Sequence, residues 1–257
     1  HWCALPHSCG ILVFWGVWPL LSAFSTPFTI NYAQREVSQP SVFTYTNFGP
    51  KWTCNWLSYI TTDGFRSRAN LYEMGGGLET FPFFLATGDG SKMFGPNSNT
   101  TLRRNIDANF VSTYVREFPD GSTATYDKVD TRTSPFTSLR VFMSKVTDPQ
   151  GNATTIQYDD QFRIQSITSP TGKVMTLVYG LTQDPYKVTK VVDPYGREAS
   201  FTYSAEGLLT SSTDTLGITS SFSYGPSDFI NSLTTPYGTT TFQYGDASVD
   251  ANLGVAR

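Results

Sequence analysis

The sequence predicts an all-β protein, in which stacked strand–turn–strand repeats form an extended, curving antiparallel sheet. Three observations predict this fold: the composition, turn tetrapeptides at a nearly constant spacing, and alternation of apolar and polar residues between them. Aromatic residues make up 15% of the 257 residues and charged residues another 15%. No segment keeps an apolar period of 3.6 residues, so strands are favoured over helices.

Five turn tetrapeptides recur in the C-terminal half of the chain. Their glycines are 21, 24, 21 and 21 residues apart. Proline fixes φ at the second position of a turn and glycine accepts the positive φ that can follow, so each tetrapeptide should reverse the chain. The turns are DPQG (148–151), SPTG (169–172), DPYG (193–196), DTLG (214–217) and TPYG (235–238), which end in Gly151, Gly172, Gly196, Gly217 and Gly238.

A tyrosine follows each of these glycines, seven residues later in four repeats and six residues later in the fifth. Between them the pattern has a period of two, so that Thr154, Ile156 and Tyr158 share one face of a strand. One such unit cannot bury its own aromatic face, and neighbouring units are therefore expected to stack. The repeat tyrosines are Tyr158, Tyr179, Tyr203, Tyr224 and Tyr244.

This unit resembles the YD repeat of rearrangement-hotspot (Rhs) proteins, which also occurs in teneurins and insecticidal toxin complexes. GNATTIQYDDQFRIQSITSPTG (151–172) and VTKVVDPYGREASFTY (188–203) carry the resemblance, although among the five repeats an aspartate follows the tyrosine only at Asp159. NFGPKWTCNWLSYI (47–60) is similar to the opening strand that often precedes such repeats. The resemblance covers residues 29–257.

The resemblance implies a structural role in a large protein. In the family, such repeats coil into a hollow β-shell around a C-terminal cargo, frequently a toxin. The chain would then be a fragment from the N-terminal part of the shell, secreted or held at the cell surface after bacterial export. Its partners would be the remainder of its own shell and the cargo domain. The aromatic strand face would line the cavity.

Three parts are predicted along the chain. Residues 1–28 are an atypical apolar segment that is too short for a confident membrane span. It is interpreted as a degraded signal core, a buried strand pair or foreign sequence, and the last two are favoured because a basic flank is missing. Residues 29–145 are a β-region with degenerate hairpins, such as the Asp-Gly turns of 88–95 and 118–127. Residues 146–257 are the repeat array, incomplete at its C-terminus.

Composition gives little support to nucleic-acid binding or to a disulfide framework. The formal net charge is −3 and no basic stripe is present. The three cysteines, Cys3, Cys9 and Cys54, are an odd number, which excludes complete pairing but leaves a Cys3–Cys9 bridge open.

No catalytic residue, cofactor or metal site is predicted. Both histidines, His1 and His7, lie at the N-terminus, where they and two cysteines lack the spacing of a zinc finger. The adjacent pair Asp159-Asp160 should point to opposite faces or lie in a solvated turn. The glycines at 75–77 lack a Gly-Lys-Ser/Thr ending and indicate a hairpin tip instead of a phosphate loop.

The aspartates that precede prolines in the turns, and the DPYG motif that contains one of them, are interpreted as structural. Asp148 and Asp193 precede prolines in turns and need no catalytic role. Some Rhs shells end in an Asp-Pro-x-Gly motif linked to self-cleavage, but DPYG (193–196) lies inside the array, so that activity is not transferred.

Exposed aromatic residues raise the alternative of a cell-surface carbohydrate-binding or adhesin module. Tyr195 and Tyr237 lie at turn tips, where packing does not require tyrosine, so they are candidates for stacking on glycans. Trp52 and Trp56 share a strand parity with Cys54 and are predicted to be core residues. An enzyme on a β-solenoid, such as a polysaccharide lyase, would require acidic and basic residues clustered on one strand face, and the sequence shows no such cluster.

Overall fold

The computed structural model describes residues 15–16, 27–63, 68–82, 92–95, 97–109, 111–132, 138–225, 228–243, 249–250 and 255–256. All regular secondary structure in these residues is β-strand, which confirms the predicted fold class. No helix in this part of the chain is long and apolar enough to cross a membrane. The alternatives for the first 28 residues fall almost entirely outside the described residues.

The first three strands form a small antiparallel sheet in which β2 is central. Trp52, Thr53 and Cys54 are all buried, so this strand is covered on both faces. The tryptophans predicted to be core residues are indeed in the core, since Trp56 is buried as well. The strands are β1 (Trp15–Gly16), β2 (Thr29–Tyr32) and β3 (Trp52–Cys54).

The next eight strands form a closed ring. Successive strands are neighbours, and the ring closes because the first half of its last strand pairs antiparallel with its first strand, from Ser138↔Asp63 to Phe142↔Tyr59. The strands are β4 (Tyr59–Asp63), β5 (Arg68–Tyr72), β6 (Leu78–Pro82), β7 (Lys92–Phe94), β8 (Thr101–Ile106), β9 (Ser112–Glu117), β10 (Thr123–Val129) and β11 (Ser138–Thr147).

The repeats form an antiparallel meander that branches from the second half of β11, where Lys145–Thr147 pairs with the next strand. Each strand of the meander pairs with the one before it. The strands are β12 (Ala153–Tyr158), β13 (Ile164–Thr168), β14 (Val174–Val178), β15 (Lys190–Val192), β16 (Glu198–Tyr203), β17 (Leu209–Thr213), β18 (Thr219–Tyr224), β19 (Ile230–Thr235) and β20 (Gly238–Thr241), and a separate pair consists of β21 (Val249–Asp250) and β22 (Val255–Ala256).

The predicted glycine turns are present and share one geometry. In the first four, the glycine has φ between +77° and +87°, and its N–H donates to the carbonyl of the first turn residue at 2.9–3.0 Å. In three of them that first residue is an aspartate, whose carboxylate also accepts two backbone N–H groups. The fifth turn is tighter, since Thr235 and Gly238 pair directly across a two-residue loop.

The turns at the other end of the strands repeat this design with less regular sequences. Asp159 accepts N–H bonds from Gln161 and Arg163. The aspartate after the tyrosine therefore stabilises the turn through its carboxylate. The fourth position has positive φ in three such turns, although only one carries glycine. These residues are Phe162 (+60°), Gly207 (+83°) and Asp228 (+55°).

Two expectations for the N-terminal half are met where the structure describes it. The glycines at 75–77 connect β5 to β6, with Glu73 N–H donating to the Gly77 carbonyl at 2.9 Å. In the 118–127 hairpin, Gly121 has φ +89° and its N–H donates to Phe118. Most of the 88–95 hairpin lies outside the described residues.

Candidate functional site

The face of the repeat sheet that packs on the core, here called the concave face, is organised by the repeat tyrosines. In each of four repeats the tyrosine hydroxyl donates a hydrogen bond to the backbone carbonyl fifteen residues earlier, which belongs to the preceding repeat or, for Tyr158, to β11. Each bond therefore ties two successive hairpins together through a side chain. The bonds are Tyr158 to Met143 (2.7 Å), Tyr179 to Ile164 (2.9 Å), Tyr203 to Val188 (2.6 Å) and Tyr224 to Leu209 (2.7 Å).

A register shift precedes three of these tyrosines. The ladders shift between Gln157 and Tyr158, between Thr202 and Tyr203, and between Ser223 and Tyr224. A β-bulge bends the strand and increases its local twist. The shift recurs at the same place in these three repeats, directly before the tyrosine, so each of these strands is expected to bend there.

The concave face is apolar and is not an open cavity wall in the described part of the chain. Residues 27–57, here called the covering segment, lie across it. Apolar side chains of the repeats belong to the same buried cluster as the apolar side chains of this segment, and they are less than 8% exposed. They include Ile156, Ile164, Ile167, Met175, Leu177, Val188, Val191, Phe201, Leu209, Phe222 and Ile230.

The covering segment meets the repeats in order, one side chain after another. The ring centroids of Tyr45 and Phe142 are 5.4 Å apart, those of Phe48 and Phe201 are 5.2 Å apart, and those of Trp52 and Phe222 are 4.8 Å apart. Each pair meets edge to face, the arrangement that aromatic quadrupoles favour. The segment thus crosses the strands of the meander and does not extend any one of them.

Thr46 is the centre of this contact. Its fully buried hydroxyl accepts the backbone N–H of Ile164 at 2.6 Å and shares a 2.8 Å bond with the hydroxyl of Tyr179. One side chain of the covering segment therefore holds both the tyrosine and the strand to which that tyrosine is bonded.

Two further tyrosines complete the contact. The indole N–H of Trp52 donates to the hydroxyl of Tyr224 at 2.9 Å. The hydroxyl of Tyr32 donates to the carbonyl of Asp228 and accepts the N–H of Ile230, each at 3.2 Å.

The longer repeat supplies an anchor for the covering segment. The 24-residue spacing places extra residues between β14 and β15, and Asn47 forms a parallel bridge there with Lys187. Asn47 donates its N–H to Tyr186 and accepts the N–H of Val188, at 3.0 and 3.1 Å. The three extra residues thus coincide with the place where the covering segment pairs with the repeat backbone.

The comparisons with known proteins agree with this geometry in the repeat region. Residues 122–247 match the family model described as Teneurin YD-shell. The repeat region is therefore similar to the YD shell that this family model describes. A search of curated proteins found no match to the chain.

One solved structure resembles the chain over most of its length. It is the N-terminal domain of effector protein SpvB from Salmonella typhimurium strain LT2, at 10% identity and a TM-score of 0.41, over 86% of this chain and 95% of that one. At that score the likeness carries no argument for fold or function.

Burial sets the chemistry of the repeat tyrosines. Removal from water raises the pKa of Tyr158, Tyr179, Tyr203 and Tyr224 well above its usual value, because the charged phenolate is poorly solvated there. Burial also raises the pKa of the Cys54 thiol to about 12. These groups stay protonated at neutral pH, so the tyrosines act as hydrogen-bond donors and the thiol as an apolar group.

The ring next to the repeats contains an ionic cluster that sequence patterns did not indicate. Arg116 is 3% exposed and pairs with Glu73 at 2.5 Å and with Glu79 at 3.3 Å. It also donates to Thr100 at 3.0 Å, and Glu79 accepts the N–H of Asn97 at 3.0 Å. The pKa of Arg116 is raised, because the two carboxylates outweigh the burial that would lower it. With its donors used internally, the cluster holds strands together.

Tyr195 and Tyr237, the two residues proposed for glycan stacking, differ in their exposure and in their neighbours. The side chain of Tyr237 is 87% exposed and that of Tyr195 is 55% exposed. The ammonium of Lys173 and the guanidinium of Arg197 lie 5.2 and 5.5 Å from the ring centroid of Tyr195. Tyr195 therefore already has cations against its ring, and Tyr237 is the freer of the two.

Several predicted residues take no part in the concave face or cannot be placed. Tyr244, His1, His7, Cys3 and Cys9 lie outside the described residues. Within the described part, no three His, Cys, Asp or Glu side chains are grouped as metal ligands.

Proposed function

We propose that the chain is a wall segment of a hollow β-shell that encloses a C-terminal, toxin-like cargo in an exported bacterial protein. The observation that carries the proposal is the tyrosine–carbonyl bond that recurs at the same separation in four repeats. A hydrogen bond repeated between successive hairpins fixes one curvature along the sheet. A wall needs that property, whereas a binding loop does not.

The last strand supports a continuing wall. All four residues of β20 are exposed, and Phe242 beyond it is only partly buried, whereas the equivalent Phe201 and Phe222 are buried. Another repeat packed against β20 would cover these positions as each earlier repeat covers the one before it.

The proposed role is not catalytic. Three polar groups at the centre of the concave face, those of Thr46, Tyr179 and Tyr224, are engaged in bonds within the fold. Export and a secreted or cell-surface location follow from the proposed role.

The test is the coding sequence beyond the codon for Arg257, followed by protease treatment of the longer protein. We expect further tyrosine–glycine repeats, then a domain of unlike composition that resists protease until the shell is denatured. A stop codon within a few residues, a wall-anchoring segment without cargo, or a downstream domain cleaved at the rate of the free domain would contradict the proposal.

A glycan-binding surface is the second candidate, because Tyr237 presents an 87% exposed ring at a turn tip. It predicts glycan affinity that is lost in a Tyr195→Ala plus Tyr237→Ala variant with the fold retained. If a glycan array gives the same signal for this variant and the unaltered chain, the candidate is removed.

A further inference from the structure

A row of three cations runs along one rim of the repeat sheet, and the first two each link one turn to the next. The first member is Arg132. Its guanidinium lies 4.5 Å from the ring centroid of Phe162, bonds its own turn at Asp130 (2.9 Å), and donates to the carbonyl of Gln161 in the next turn (3.1 Å).

Arg163 repeats this arrangement one turn further on. It bonds Asp159 of its own turn at 2.7 Å, lies 4.7 Å from the ring centroid of Tyr179, and donates to the carbonyl of Pro185 at 2.8 Å. Both arginines thus make the same three contacts: a carboxylate of their own turn, an aromatic ring, and a carbonyl of the next turn.

The third member is a lysine and makes only the first two contacts. The ammonium of Lys187 bonds Asp184 at 2.6 Å and lies 5.7 Å from the ring centroid of Tyr203. The carbonyl of Gln161 lies two positions before Arg163, and that of Pro185 two before Lys187. The equivalent carbonyl in the following turn belongs to Glu206, two positions before Leu208. A lysine has a single nitrogen, whereas the planar guanidinium of arginine reaches two acceptors at once.

A cleft of about 410 Å³ lies at this place. Loop residues 181–187 form one side of it and the turn at 203–207 forms the other. The side chain of Lys187 is 94% buried, with its relative exposure at 6%, and its ammonium lies against Gly207, where a Cβ would come within 3.0 Å of it. The lining includes the carboxylates of Asp184 and Glu206.

We propose that this cleft binds the guanidinium of an arginine side chain presented by a partner polypeptide. Glu206 supplies its carbonyl and its carboxylate as acceptors, and the ring of Tyr203 forms the wall. At the two preceding places on the rim, the fold fills the equivalent contact with its own arginines, Arg132 and Arg163. Lys187 already pairs with Asp184 at 2.6 Å, so the carboxylate of Glu206 is the charge in the lining that favours a cationic guest. This inference is independent of the proposed shell function.

The test is an NMR titration of the 257-residue chain with acetyl-Gly-Arg-Gly-amide, and with the same peptide carrying neutral citrulline. We expect saturable shifts of the amides of Gln183, Glu206 and Gly207 with the arginine peptide. The citrulline peptide should bind at least about tenfold more weakly, because charge-assisted hydrogen bonds are lost. No saturable shift, or equal binding of the two peptides, would overturn the proposal.

A substitution within the cleft gives a sharper test. Lys187→Arg should supply the missing contact from within the chain and weaken peptide binding at least about tenfold. Lys173→Arg is the matched control, since Lys173 also lies against a tyrosine ring, that of Tyr195, and does not line the cleft. Unchanged binding by Lys187→Arg, or an equal loss in Lys173→Arg, would contradict the assignment.

A second variant keeps the test decisive if Lys187→Arg fails to fold. The side chain of Glu206 is exposed, so Glu206→Gln removes a carboxylate without disturbing the core. We expect several-fold weaker binding of the arginine peptide. Equal affinity in this variant would exclude Glu206 as the acceptor and overturn the proposal.

Discussion

The hydroxyl of Tyr203 donates a 2.6 Å hydrogen bond to the backbone carbonyl of Val188, which lies fifteen residues earlier. The same bond recurs in the flanking repeats, and in each case it joins a tyrosine to the preceding hairpin. Tyrosine fits this position because its ring fills the apolar face while its hydroxyl reaches a buried carbonyl. Phenylalanine would supply only the first of these contributions.

Tyr203→Phe should therefore lower the free energy of unfolding by about 1–2 kcal/mol, because it leaves the Val188 carbonyl without this donor. Urea denaturation measures the change. Tyr237→Phe is the control, since that side chain is 87% exposed and should change stability little. Equal effects of the two substitutions would show that the repeated bond does not hold the hairpins together.

Thr46→Val should cost about 2–3 kcal/mol, because the buried N–H of Ile164 loses its acceptor and Tyr179 loses a partner. The double-mutant cycle with Tyr179→Phe measures the contact between the two hydroxyls. We expect a coupling energy of about 1 kcal/mol. Additive effects would mean that the two side chains act independently.

Trp52→Ala should destabilise the protein by about 3–5 kcal/mol, because it empties a site packed against Phe222 and removes the bond to Tyr224. The covering segment should also become more sensitive to limited proteolysis than the ring. Val37→Ala is the control, since that side chain lies in the same segment and is 89% exposed. Cleavage of the ring and the segment at equal rates would contradict a separate docking of the segment.

Arg116→Met should cost about 3–5 kcal/mol, because it leaves the buried carboxylate of Glu79 without its cation. Thermal unfolding of this variant beside Lys92→Met gives the comparison, since Lys92 makes an exposed ion pair with Glu117. The exposed pair should contribute less than about 1 kcal/mol. Similar losses in the two variants would refute a special role for the buried cluster.

Asp193 should make the free energy of unfolding depend on pH in the acid range. Burial alone would raise its pKa, but bonds from Arg197 and from backbone N–H groups outweigh burial and hold the pKa below its usual value of 3.8. A carboxyl whose pKa is lowered by folding contributes stability that is fully present above the unfolded pKa, and it loses that contribution as the pH falls through the folded pKa.

Asp193→Asn should consequently flatten the fall in unfolding free energy below about pH 4. Urea titrations at pH 6 and pH 3 measure it, with Asp160→Asn as the control because Asp160 is exposed and accepts no bond in its turn. If the pH dependence of the unfolding free energy is unchanged in Asp193→Asn, the turn at Asp193 is not the cause of the loss of stability in acid.

The sequence alone determined the features that depend on near neighbours. A turn of Asp-Pro-x-Gly type reverses the chain whatever surrounds it, and alternation decides which side of a strand is buried. The all-β class, the glycine turns and the buried Trp52 and Trp56 were therefore predictable. The tyrosine period was visible too, although the carbonyl that each hydroxyl meets was not.

Only the tertiary structure decided the contacts between distant parts of the chain. Thr46 meets Tyr179 across 133 residues, and Arg116 meets Glu73 across 43, with no repeat or spacing to mark either pair. The closure of the ring depends on β11 pairing with both β4 and β12, which its own residues do not specify. Local patterns record the geometry of one strand or turn, whereas these contacts exist only once the covering segment and the ring have packed against the repeats.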